Sequence, residues 1–335
     1  MKPPLFRKAI DPFLYLFWAS QISIMSACPP LHGVTIQNGM NAERSPALWI
    51  KTLLRVAVRA PRAVCRHLRD IKEDRVVLPR VSVGVTTRCT LNCDKCVAHI
   101  PDVQTHADVP ADEMIRDLQA LFACADCIYD LNLSGGETFL HPDLADILRF
   151  CAASGKADKI DVSTNGTVMP GAKALAALRE TKATVRISDY GPALQPDVEK
   201  LKELLKENGI TYIHVAGNYW YDTGEFAQPQ AGSAKRRFLV CAQRVGFPFF
   251  NGKLNVCSYA LALEEGGTDV PGLEDGFIDL RRTDPAAFRE QWRQLRKRRV
   301  ISACAYCAGC SYKSPRVPVA IQRARRTSEG GQLHV

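Results

Sequence analysis

Cys89-Thr-Leu-Asn-Cys93-Asp-Lys-Cys96 places three cysteines at C-x3-C-x2-C spacing within eight residues. A loop that short can wrap three thiolates around one iron-sulfur cube, which ordinarily takes four. One iron of such a cube keeps no protein ligand and is open to chelation by a small molecule. Just upstream, Val81-Ser-Val-Gly-Val-Thr86 reads as a buried strand. A cysteine loop on the C-terminal end of a strand sits where α/β barrels keep their chemistry. On spacing alone the alternatives are a zinc knuckle or three unrelated buried thiols.

Strand and helix patterns alternate from there. A capped helix runs from Pro110 to Phe122, and Asp130–Ser134 is a second strand ending in Gly135-Gly136-Glu137. A helix over Pro142–Cys151 leads to a third strand, Lys159–Ser163, ending in Thr164-Asn165-Gly166. A helix over Ala172–Arg179, a fourth strand over Thr184–Ser188, a helix over Pro196–Asn208 and a fifth strand over Thr211–Val215 follow. Short connections between alternating elements predict a parallel sheet, and fewer than eight units predict an open barrel.

The cysteine loop after a first strand resembles the radical S-adenosylmethionine (radical SAM) superfamily. That family usually has an aromatic residue before the third cysteine, where this chain has Lys95. The resemblance covers about Val81 to Val215 and implies a partial (β/α)6 TIM-type barrel. It also implies a [4Fe-4S] cluster on Cys89, Cys93 and Cys96 that binds SAM. One electron from that cluster is then expected to cleave the S–C bond, giving a 5′-deoxyadenosyl radical that abstracts hydrogen. Two glycines at a strand end let a ligand approach the backbone, and a carboxylate beside them can hold an ammonium group. In the family this motif meets SAM's amino group, so Gly135, Gly136 and Glu137 are candidate ligand contacts. The family's following proline is Thr138 here. Ser163, Asn165 and Ser188, at later strand ends, are candidates for the SAM carboxylate or ribose, or are ordinary turn residues.

Five more cysteines follow: Cys241, Cys257, Cys304, Cys307 and Cys310. The stretch Val245–Ser258 reads as a hairpin turning at Asn251-Gly252, which draws Cys241 and Cys257 together. A helix over Pro285–Arg298 precedes the last three. This region resembles the SPASM auxiliary-cluster domain or its shorter twitch form. Cysteines for a second auxiliary cluster are missing, so one auxiliary [4Fe-4S] cluster is expected, on Cys241, Cys257, Cys304 and Cys307. Cys310 is then spare, either as a hydrogen-atom donor to a substrate radical, a catalytic role seen in radical epimerases, or as an alternative ligand or bystander. Zinc is an open alternative for this group. Cys28, Cys65, Cys124, Cys127 and Cys151 read as buried small apolar residues.

Length and composition agree with one large domain plus a small one: 335 residues, 46% hydrophobic, 24% charged. Thirteen cysteines, an odd number clustered at short gaps, suit metal binding in a reducing compartment better than disulfides. A cytoplasmic protein is expected. The net charge of +9 lies in runs that read as solvated faces, and no basic stripe interleaved with aromatics calls for nucleic acid. The domain reading is 1–80 as an N-terminal extension, 81–235 as the barrel, 236–315 as the auxiliary-cluster unit and 316–335 as a basic tail. The apolar stretch Phe13–Ala27 follows basic residues, as in a signal peptide, but is too short for a confident membrane span. It is read as a peripheral segment or an upstream start, with Met25 and Met40 as alternatives. Ser45–Ile71 reads as a basic amphipathic helix bent at Pro61, capping the barrel or lying on a membrane, with capping preferred.

Asn218–Gly224 follows the fifth strand, and its aromatics with Asp222 suit a sugar or an amino-bearing ligand. Segments around Arg186, Trp220 and Asn251 are similar to radical SAM proteins found with polysaccharide and glycosyltransferase genes. The expected activity is oxidation or epimerisation of a small polar, carbohydrate-like substrate, with a reducing protein as electron donor. The alternatives are a maturase of a ribosomal peptide and a zinc-binding interaction protein.

Overall fold

Valine alternating with small residues builds the central strand, β2 (Val81–Thr86). Val81, Val83 and Val85 are fully buried on one face, while Ser82, Gly84 and Thr86 line a cavity on the other. That is the two-residue period of a pleated strand. The pattern repeats in β3 (Leu131–Gly135), β4 (Ile160–Thr164) and β5 (Thr184–Asp189). Leu131, Leu133, Val162, Val185 and Ile187 pack outward, whereas Asn132, Ser134, Ser163, Arg186 and Ser188 face the cavity. Helices α1 (Ala111–Cys124), α2 (Leu144–Ala153), α3 (Ala172–Thr181) and α4 (Val198–Glu207) follow these strands in turn. In α1 the buried residues Met114, Leu118, Leu121 and Phe122 fall at helical spacing.

The computed structural model describes residues 72–216, 219–311 and 313–323, with short pieces at 35–37, 65–66, 68–70, 325–326 and 332–333. The expectations for 13–27, for most of 45–71, for Cys28 and for Asn218 lie outside the described residues. The fold is mixed α/β around one nine-stranded sheet. Its remaining strands are β1 (Thr35–Gln37), β6 (Tyr212–Ala216), β7 (Phe247–Phe250), β8 (Lys253–Asn255) and β9 (Phe277–Asp279). The order is β1-β6-β5-β4-β3-β2-β7-β8-β9, parallel from β1 to β7 and antiparallel thereafter. Five parallel strands, β2 to β6, with the four helices between them form the body of the expected partial barrel.

Two placements differ from the linear reading. β1 and β7 are parallel members of the sheet, yet both lie outside 81–235. The expected hairpin exists, with Asn251 and Gly252 at φ of 48° and 72°, the two positive values a tight hairpin turn needs. However, β7 pairs directly with β2, so the hairpin extends the barrel sheet. Arg281, just after β9, forks onto Asp117 and Glu113 of α1 at 2.6–2.7 Å and ties this extension to the barrel helices. Cys124, Cys127 and Cys151 are buried as expected, whereas Cys65 is exposed. Cys127 lies in a short strand pairing with Val77–Leu78. Among the described residues no helix is long and apolar enough to cross a membrane.

Candidate cluster and ligand site

β2 delivers the cysteine loop at its C-terminal end. Cys89, Cys93 and Cys96 all line one cavity of about 530 Å3, together with Gly135, Gly136, Ser163, Asn165 and Ser188. The sequence-read strand ends therefore converge on the cysteine loop.

The glycine pair is needed for a reason internal to the chain. Gly135 has φ of 145°, and a Cβ there would lie 2.1 Å from the Thr86 carbonyl oxygen. A Cβ on Gly136 would lie 2.0 Å from the Arg88 carbonyl oxygen and 3.0 Å from Cys89 Cβ. The backbone N–H groups of Gly136 and Glu137 donate to those carbonyls at 2.9 and 2.8 Å. The close approach is that of the cysteine loop itself, which these bonds hold against β3.

Glu137 turns inward. Its side chain is fully buried and does not line the cavity. The carboxylate accepts from Phe139 N (3.0 Å), Asn165 N (2.7 Å) and Thr164 Oγ1 (2.8 and 3.0 Å). Burial pushes its carboxyl up to about 7 against the pull of these donors. In this geometry it pins the end of β4, and the ammonium contact expected of it is not made available to the cavity.

Asn165 is likewise committed. Its Nδ2 lies 3.0 Å from Thr90 Oγ1 and 3.5 Å from Cys89 Sγ, and its Oδ1 accepts from Thr167. Ser163 Oγ donates to Asn132 Oδ1 at 2.8 Å. Gln195, which sequence reading missed, is 1% exposed and stitches the strand ends together. Its Nε2 donates to the carbonyls of Asn165 and Ser188, and its Oε1 accepts from Tyr190 N. Nothing local marks such a glutamine, because its partners lie on two other segments.

A second cavity, about 670 Å3, lies beside the first. Cys241, Cys257, Cys304, Cys307 and Cys310 all line it. Cys96, Trp220, Ala242 and Gln243 line both cavities, so the two share a wall. Cys257 sits at the N-cap of α6 (Ser258–Glu265), its Sγ accepting from Ala260 N at 3.4 Å. The α5 helix (Ala234–Val240) delivers Cys241 at its C-cap, and α7 (Pro285–Lys297) leads to the loop carrying the last three. α7 begins as its sequence predicts, with Asp284 Oδ1 accepting from Ala286 and Ala287 N–H ahead of Pro285.

Burial raises the thiols of both groups. Cys93 is pushed up to about 11, with Cys89 and Cys96 raised for the same reason. In the second cavity burial takes Cys304 to about 11 and Cys307 and Cys310 to about 12. Cys257 rises well above the usual thiol range from burial, with the fields of Cys241, Cys304 and Cys307 adding to it. Thiolates gathered this way need a positive partner, and a metal or cluster inverts the balance. Both donor sets are all-sulfur, which suits iron-sulfur chemistry. Among the described residues no three His, Cys, Asp or Glu side chains converge closely enough for a single metal ion.

Lys95, where the family pattern has an aromatic, adopts φ of 53° and reaches toward the second cavity. Its Nζ donates to the Gly224 carbonyl at 2.8 Å and pairs with Asp222 at 3.0 Å. Asp222 is thus engaged by the chain itself. Trp220 stands edge-on to Tyr190 with centroids 5.7 Å apart, and Trp220–Tyr221 pairs antiparallel with Arg316–Val317. The start of the expected basic tail is therefore built into the site.

No protein-family model and no curated protein matches this chain. Solved structures do. Native anSMEcpe with bound AdoMet and a Cp18Cys peptide aligns at 17% identity and a TM-score of 0.35, over 43% of this chain and 44% of that one. The chain thus spans less than half the length of that neighbour. Streptococcus suis SuiB bound to the precursor peptide SuiA aligns at 13% identity and TM-score 0.43, over 83% of this chain and 80% of that one. BtrN in complex with AdoMet and 2-DOIA aligns at 12% identity and TM-score 0.41, over 71% and 97%. Two of these three structures hold AdoMet.

Proposed function

We propose that the chain is a radical SAM enzyme with one auxiliary cluster, acting on a small polar molecule. One observation carries the reading: a three-cysteine loop and a five-cysteine group line two cavities that share a wall. Cys89, Cys93 and Cys96 would hold the SAM-binding [4Fe-4S] cluster, and Cys241, Cys257, Cys304 and Cys307 the auxiliary one. When bound, the first cluster supplies the electron that splits SAM into methionine and a 5′-deoxyadenosyl radical. The chain's residues supply position. Gly135 and Gly136 seat the loop against β3, and their backbone borders the ligand space. Ser163 and Ser188 border it from β4 and β5. Glu137 and Gln195 fix those strand ends. Holding the reactants in place is what makes the step unimolecular.

The substrate class rests on the inner face of the sheet. Ser82, Asn132, Ser163 and Arg186 give the cavity hydroxyl, amide and guanidinium groups where a closed barrel packs aliphatic ones. That lining supports a carbohydrate-like molecule, oxidised or epimerised. Cys310, the fifth thiol on the second cavity, is the candidate hydrogen-atom donor for epimerisation. A reducing protein supplies the electrons, and the cytoplasm is the compartment.

Anaerobic reconstitution tests this reading. Iron and sulfide at about eight each per chain, with SAM cleaved to 5′-deoxyadenosine under dithionite, are expected. Zinc without cleavage overturns it in favour of a zinc-binding interaction protein. Turnover of a precursor peptide in place of a sugar overturns the substrate class alone. Solvent deuterium retained in product marks epimerisation, and its absence marks oxidation.

A further inference from the structure

Residues 320–323, near the far end of the chain, lie along the cysteine loop. Asp94 N–H donates to the Ile321 carbonyl at 2.6 Å and Arg323 N–H to the Asn92 carbonyl at 2.7 Å. Cys93 and Gln322 face each other across an antiparallel bridge. The Arg323 guanidinium adds an ion-pair fork, with Nε 3.1 Å from Asp94 Oδ1 and NH1 2.7 Å from Asp102 Oδ1. Asp102 also meets His99 at 3.1 Å. The segment is therefore tied to both sides of Cys93 and Cys96.

The orientation of the Gln322 amide follows from its partners. Amide oxygen and nitrogen are interchangeable unless a neighbour decides. Here Asn92 N–H can only donate, and it meets Oε1 at 2.8 Å. Nε2 must then face the other way, where it donates to the Ala320 carbonyl at 2.7 Å and to Cys93 Sγ at 3.2 Å. Asn165 makes the corresponding, longer approach to Cys89 Sγ from the barrel side. One amide comes from the barrel, and the other from 229 residues downstream of its cysteine.

We infer that Gln322 is a positioning residue that sets the reduction potential of a cluster held by Cys89, Cys93 and Cys96. This rests on the reading of those cysteines as cluster ligands. Reduction adds one electron, taken from the external reductant, and no bond is made or broken. The added negative charge spreads onto the ligand sulfurs. An N–H aimed at Sγ stabilises the reduced form more than the oxidised form, so it raises the potential. Cys93 is 7% exposed, and a fixed dipole acts more strongly out of water. The C-terminal segment thus eases the entry of the electron that the chemistry requires.

The test uses the full chain, reconstituted without oxygen and titrated under paramagnetic resonance without SAM. Gln322→Glu keeps an oxygen for Asn92 N–H and replaces the sulfur's donor with an anion. Gln322→Leu removes all three side-chain contacts at similar volume. Poised at the wild-type midpoint, the reduced-to-oxidised ratio of the first cluster should fall about tenfold in the Glu variant, a midpoint about 59 mV lower for one electron. The Leu variant should shift the same way by less, while the auxiliary cluster, as internal reference, stays put. Unshifted potentials in both variants overturn the inference and leave the proposed function standing. So does an equal shift of both clusters. Loss of only the first cluster in both variants makes the segment a seat for the cluster and overturns the tuning role. A wild-type protein that forms no cluster on the first trio overturns the proposed function itself.

Discussion

Glu137→Gln removes a buried titratable group while preserving volume, and its cost can be worked from the contacts. Phe139 N–H and Asn165 N–H address different carboxylate oxygens, at 3.0 and 2.7 Å. An amide offers only one oxygen, so one of these buried donors must face an NH2 group. An orphaned buried donor costs about 1–3 kcal/mol. The carboxyl also titrates. Its folded value is raised from 4.5 to about 7 by burial. Between those values the folded chain holds a proton that the unfolded chain has released. The group's contribution is therefore complete below pH 4.5 and lost as pH rises through about 7. At about 1.4 kcal/mol per unit, the swing is about 3 kcal/mol. Glutamine does not titrate, so the stability difference between wild type and variant carries the whole dependence. Melting both proteins without SAM, from about pH 4.5 to about pH 8, reads it. The wild type's advantage should be largest at the acid end and shrink by about 3 kcal/mol. A flat difference, or one that widens with pH, refutes the reasoning. An unchanged melting point combined with weakened SAM binding would return Glu137 to the ligand.

Gly136→Ala places a methyl group 2.0 Å from the Arg88 carbonyl oxygen, where only backbone can yield. The cysteine loop must move, at about 1–3 kcal/mol or more, and iron content at the first site should fall while the auxiliary site keeps its own; full iron content at both sites refutes this. Cys257→Ala should halve the iron per chain, whereas Cys310→Ala should leave it unchanged. Equal losses in the two variants would show that Cys310 is a ligand. Full epimerising activity in Cys310→Ala would rule out its role as hydrogen donor.

Much of this architecture is legible in the chain because its signals are local. The Val81, Val83, Val85 alternation defines β2, and Asn251-Gly252 defines a hairpin turn without reference to anything distant. The cysteine spacings mark both sulfur groups for the same reason. What could not be read depends on long-range pairing. β7 joins β2 across a separation of more than 160 residues, and no residue in Phe247–Phe250 encodes its neighbour. Gln322 and Gln195 look like ordinary polar residues until their partners are in place. Glu137 shows a further limit: the motif locates the residue, but the direction of its side chain depends on donors from β4. The glycines before it end β3, and the backbone they admit is the chain's own.

The central claim is an iron left without a protein ligand on the first cysteine trio. Electron-nuclear double resonance on the reduced protein, with SAM labelled at its amino nitrogen and carboxylate oxygens, reads that iron directly. The account predicts hyperfine coupling from both labels to the first cluster, abolished in Cys93→Ala. A cluster that gives no coupling from either label, or zinc in its place, contradicts it.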